Sequence, residues 1–175
     1  MPQPRVLTGI ALLAVPLLAA PPAAAEEPLR LEVSGGVHQV LHEEEVASEG
    51  GFELIGRPVP LPLRSRLSPD MVPLLGLMGT EDGAFYAYVG FGLDVHLGRR
   101  LTVQPNWAVG AYDEGREGRD LGGPVEFRSA LDVFFRLSER SAAGLSFYHL
   151  SNAGIYDRNP GSESLVLTYS FAPRW

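Results

Sequence analysis

His149, Ser151 and Glu163 are the three residue types of a nucleophilic hydrolase, and they lie close together near the end of this 175-residue chain. The segment reads Tyr148-His149-Leu150-Ser151-Asn152-Ala153-Gly154, then Asn159-Pro160-Gly161, then Glu163. A histidine can accept the proton of a serine hydroxyl while a carboxylate orients the imidazole, which readies the serine for attack on an ester carbonyl. Each residue alone has a plainer reading. His-x-Ser is an interfacial histidine beside a turn serine, Glu163 is an edge charge after a Pro-Gly turn, and Asn152 is a turn residue.

The elements that must position these residues are strands. Helical periodicity is absent after the N-terminal region, and period-two alternation recurs. From Phe85 to Leu97 the odd positions are all apolar, and the even ones are Tyr86, Tyr88, Gly90, Gly92, Asp94 and His96. Leu101 to Tyr112 repeats the rule. In Val125 to Leu137, Phe127, Ser129, Leu131, Val133 and Phe135 share one face, with Arg128, Asp132 and Arg136 opposite. Charges, glycines and tyrosines on the second face suit a narrow polar lumen and an apolar exterior.

Further strands are expected at Leu29 to His42, about Phe52 to Val59, Val72 to Gly79, Ala142 to Ser151 and Glu163 to Phe171. That makes eight, an even number as a closed bacterial barrel requires. The fold class is therefore all-β, an eight-stranded antiparallel transmembrane β-barrel. Short turns at Gly98–Arg100 and Ser138–Ser141 and longer connections at the other end match periplasmic turns and external loops. The exception is the proline-rich stretch Arg57 to Met71, which is long for a turn. Trp175 after a strand ending in Tyr169-Ser170-Phe171 resembles the aromatic C-terminus of outer-membrane proteins.

Strand parity decides where the chemistry would occur. His149 and Ser151 share a face with Leu145 and Phe147, and Glu163 shares one with Leu165 and Leu167. All three thus fall on the apolar exterior, with His149 and Ser151 roughly 6–7 Å apart along one strand. An ionisable group on that face costs about 2–4 kcal/mol at mid-bilayer and less near the interface. The three residues lie at the loop ends of their strands, where that cost is least.

The N-terminus reads as a signal peptide over residues 1–25, leaving the barrel domain at 26–175. Arg5 is the charged region, Val6 to Leu18 the apolar run, and Ala23-Ala24-Ala25 the cleavage site. A membrane anchor is the competing reading, but the run is short for a span of about 20 residues. With no cysteine there is neither a disulfide framework nor thiolate chemistry. Every basic residue is arginine, and the net charge is −7. An acidic chain without a basic cluster argues against nucleic acid as a partner. Glu43-Glu44-Glu45 invites a calcium reading, for which a solvated loop is the simpler one. His38, His42 and His96 have no ligand-like partners in sequence, and His38 and His96 fall on lumen faces.

Taken together, His149-x-Ser151-Asn152-Ala153-Gly154, Asn159, Glu163 and a final barrel strand resemble the outer-membrane lipid A 3-O-deacylases, the PagL-type enzymes. Phe127-Arg128-Ser129 resembles a further segment of that family. The likeness is good from Phe127 to Trp175 and mainly architectural before Phe85. It implies Ser151 as nucleophile, His149 as base and Glu163 as the orienting carboxylate. It implies Asn152, with backbone N–H groups near Ala153 and Gly154, for the oxyanion, and Phe127 and Asn159 in support. It implies no metal and no cofactor. The implied partners are lipopolysaccharide as substrate and the lipids of a Gram-negative outer membrane, and a homodimer is left open. Arg116, Arg119 and Arg158 fall in external loops, facing either solvent or lipid A phosphates.

Two other readings compete. A non-catalytic barrel, an adhesin or structural anchor, would keep the fold without needing the three polar residues on one face. A soluble periplasmic lipid-binding barrel would invert the faces and enclose them.

Overall fold

The computed structural model describes residues 29–41, 46–61 and 69–173. Among them are nine strands and no helix: β1 (Arg30–His38), β2 (Ala47–Ile55), β3 (Val59–Pro60), β4 (Asp70–Thr80), β5 (Phe85–Leu97), β6 (Leu101–Asp113), β7 (Val125–Arg136), β8 (Ser141–Ser151) and β9 (Ser162–Phe171). The two-residue β3 continues β2 against the same partner. Gly56 N–H donates to the Pro73 carbonyl at 2.7 Å, after which Val59 and Pro60 lie opposite Met71 and Asp70. The barrel therefore has eight staves. Every pairing is antiparallel, β1 pairs with β9, and β2 with β4 closes the ring.

The alternation sorts the side chains as the sequence predicts. Phe52, Leu75, Phe91, Trp107 and Leu167 are exposed on the outside, while Glu32, Asp94, Gln104, Arg128 and Asp132 are buried inside. A soluble barrel with an apolar interior would show the reverse. In a bilayer this arrangement pairs the strand backbones within a closed sheet and presents a mainly apolar surface to lipid.

The lumen is filled. Arg128 packs between the rings of Tyr88 and Tyr148, at 5.3 and 4.5 Å from their centroids, and lies 3.4 Å from Glu53. Asn106 accepts from Arg128 and donates to Asp132 at 2.7 Å. Tyr88 donates to Glu53, and Gly76 leaves the space that the Tyr88 ring occupies. Buried charges are tolerable only when paired in this way. The gap beside Arg128 and Tyr148 is about 20 Å³, room for roughly one water; wider recesses of about 230 and 600 Å³ open at the two ends of the barrel. The gap beside Arg128 admits no lipid substrate.

His38 is buried as its parity requires. Its Nδ1 lies 2.9 Å from Ser164 Oγ, and Ser164 donates to Glu49 at 2.7 Å. His96, at the lumen rim, is 41% exposed and lies 3.0 Å from Thr102.

Four boundaries differ from those expected. β1 stops at His38 rather than His42, because Gln39 turns the chain at φ 58°. The second strand starts at Ala47 rather than Phe52, so Gly50 and Gly51 lie within it and the preceding connection shortens. It also breaks at Gly56 rather than running on to Val59. β4 extends two residues earlier, to Asp70. The other strands match to within one residue. The signal segment 1–25, His42, Glu43 to Glu45 and Trp175 lie outside the described residues.

Candidate active site

β8 and β9 bring His149 and Glu163 together. The two are direct cross-strand partners, and their side chains meet at 2.9 Å between His149 Nδ1 and Glu163 Oε1. A carboxylate only accepts, so Nδ1 carries the proton, and in the neutral imidazole Nε2 keeps its lone pair. Glu163 is the more enclosed of the two, with 18% of its side chain exposed against 42% for His149. The imidazole is therefore oriented from behind and open toward the surrounding lipid.

Gly161 sets the other side of the ring. It adopts φ +68°, and a Cβ there would meet His149 Cε1 at 2.7 Å. Both facts require glycine: a side chain would be strained by the backbone and would push the ring off Glu163. The Asn159-Pro160-Gly161 turn is thus part of the histidine's support.

Ser151 sits two residues beyond His149 on the same face, half-buried and directly opposite Phe127 on β7. Among the described residues no hydrogen bond joins its hydroxyl to His149. The free Nε2 is the imidazole nitrogen left to receive the proton. Catalytic hydrogen bonds of this kind commonly tighten only when substrate is bound.

Asn152 faces inward and is fully buried. Its Nδ2 donates to the carbonyls of Leu121 and Arg158, each at 2.8 Å, and its Oδ1 accepts from Gly154 N–H at 3.0 Å. Its backbone N–H donates to Asn159 Oδ1 at 3.0 Å. The resemblance implies an oxyanion role for Asn152, with backbone N–H groups near Ala153 and Gly154. The Asn152 side chain ties the loop 114–124 to the loop 152–161, and the Gly154 N–H is held by Asn152 Oδ1. Two donors beside Ser151 are without partners among the described residues, Ala153 N–H and Asn159 Nδ2. Ala153 and Gly154 both have left-handed backbones, φ 54° and 76°, which turn the chain sharply just after the serine.

Two of the three loop arginines are occupied. Arg119 donates to Gln39 at 3.2 Å, and Arg158 pairs with Asp120. Gly122 N–H and Arg158 together hold the Asp120 carboxyl below its ordinary range. Among the described residues no cluster of three or more metal-ligating side chains occurs.

A closed barrel, polar within and apolar without, whose polar rim residues face outward, is built like an enzyme of the outer membrane that works on lipid. The chain belongs to the PagL family, whose description is lipid A 3-O-deacylase and whose model matches residues 74–172. The crystal structure of the outer membrane enzyme PagL matches with a TM-score of 0.67 at 17% identity, over 82% of this chain and 99% of that one. A de novo designed transmembrane β-barrel matches with a TM-score of 0.48 at 12% identity, over 84% of this chain and 98% of that one. No curated protein sequence matches.

Proposed function

We propose that the protein hydrolyses the ester-linked 3-hydroxyacyl chain at position 3 of lipid A, using Ser151, His149 and Glu163 on the barrel exterior. The observation that carries this is the His149–Glu163 hydrogen bond, made on the lipid-facing side with Ser151 two residues along the same face. A structural barrel gains nothing from an ionisable pair there, since it costs free energy in lipid.

Ser151 Oγ attacks the ester carbonyl while His149 Nε2 takes its proton. Ala153 N–H and Asn159 Nδ2 lie beside the serine and are free to stabilise the tetrahedral oxyanion. Asn152 N–H holds Asn159 Oδ1, which keeps that amide in place. The intermediate collapses as His149 returns the proton to the departing sugar oxygen, leaving the acyl group on Ser151. Water then attacks the acyl-enzyme by the same route in reverse and releases a hydroxy fatty acid. The site lies at the end of the barrel with the longer loops, so lipopolysaccharide in the outer leaflet reaches it by lateral diffusion. Phe127, opposite Ser151, gives the acyl chain an apolar surface.

A long-chain alkyl fluorophosphonate tests the serine mechanism. Peptide mass spectrometry is expected to find one adduct, on Ser151, and none in His149→Gln. Labelling elsewhere with Ser151 unmodified would contradict this reading. Glu163 orients the base without touching substrate, so Glu163→Ala is expected to retain about tenfold to a hundredfold more kcat/KM than Ser151→Ala. Equal residual rates for the two variants would mean that Glu163 does more than orient.

A further inference from the structure

The outward face of the described strands is apolar except at a few places. Ser48 and Asp113 stand at the outer strand ends, Ser141 stands at the inner end, and Tyr169 has an amphipathic ring suited to the interface. His149, Ser151 and Glu163 form the site. That leaves Ser129, in the middle of β7, exposed between Phe127 and Leu131 on its own strand. Its cross-strand neighbours are Trp107 on β6 and His149 on β8. Among the described residues its hydroxyl has no hydrogen-bond partner. A hydroxyl turned toward hydrocarbon without a partner is unfavourable, and alanine would serve the barrel better.

We propose that Ser129 is a specificity residue that hydrogen-bonds the 3-hydroxyl group of the acyl chain being cleaved. This inference rests on the ester-hydrolase reading above and adds to it the feature of the chain that the site selects.

The geometry is that of a sheet diagonal. Ser151 lies opposite Phe127, so Ser129 is its diagonal neighbour on the same face, at a separation of about 7–8 Å. In the acyl-enzyme the chain's third carbon is three bonds from Ser151 Oγ, and its hydroxyl one bond further. With bonds of about 1.5 Å, that hydroxyl lies roughly 4–5 Å from the Ser151 Cβ. A hydrogen bond of about 2.8 Å spans what is left to the Ser129 hydroxyl. The chain then continues over Leu131 and Phe147, which are apolar cross-strand partners one step further along the same face. A chain without the hydroxyl would follow the same path but leave Ser129 unpaired.

The test uses the purified full-length protein in detergent and two synthetic lipid A molecules. They differ only at the scissile ester, which carries 3-hydroxytetradecanoate or tetradecanoate. Wild type is expected to favour the hydroxyacyl ester by roughly tenfold in kcat/KM, the net worth of one hydrogen bond. Ser129→Ala is expected to bring that ratio close to one, and Ser129→Thr to restore it. The inference is overturned if wild type shows no preference, if Ser129→Ala keeps the preference, or if it lowers both rates equally. If wild type cleaves neither ester, the hydrolase reading itself fails and this inference fails with it. Cleavage of both at one rate removes this inference alone.

Discussion

Ser151→Ala is expected to lower kcat/KM on lipid A by about 10⁴–10⁶, the range seen when a serine hydrolase loses its nucleophile. The change removes one oxygen from an outward-facing position at the end of β8. Among the described residues that hydroxyl holds no structural hydrogen bond, so the barrel has little reason to weaken. Loss of activity would then report chemistry. The check is a rate measurement on purified lipid A, with heat-modified gel mobility confirming a closed barrel. A variant within tenfold of wild type would mean that water attacks the ester directly and that the serine is a bystander.

His149→Gln is expected to cost about as much, and the double variant no more than either single one. This non-additivity follows from how the residues share one step. Without Nε2 the serine proton has no acceptor, and without the serine the histidine has nothing to activate. Glutamine keeps much of the volume against Gly161 and can still donate to Glu163, so the replacement tests the base more than the packing. Costs that multiply in the double variant would show that the two residues act in separate steps. Activity that survives His149→Gln would place the base elsewhere.

The site's location was legible because strand parity is a strict rule. Reading Leu145, Phe147, His149 and Ser151 as one face needs only that β8 be unbroken, and the structure shows it so. The direct pairing of His149 with Glu163 depends on register, which the lengths of the intervening loop residues do not determine. Parity places the Asn152 side chain inside the barrel, which the family likeness alone does not tell. Tyr148 and Leu150 face inward, and Asn152 continues their row. Gly161 reads in the sequence as a turn glycine, and its contact with the imidazole arises only from how that turn folds over β8. The start of β2 is hidden in the sequence because Gly50 and Gly51 look like loop residues. Here they are paired with Gly35 and Ser34 on β1, where strand pairing overrides the weak propensity of glycine.

The central claim, that this rim deacylates lipid A, is tested most directly by mass spectrometry of lipid A from Gram-negative cells expressing the protein. With wild type, lipid A is expected to lose one ester-linked hydroxyacyl chain from position 3, with the matching hydroxy fatty acid released. With Ser151→Ala it is expected to stay intact. Unchanged lipid A in both, with the folded barrel present in the outer membrane, would contradict the claim.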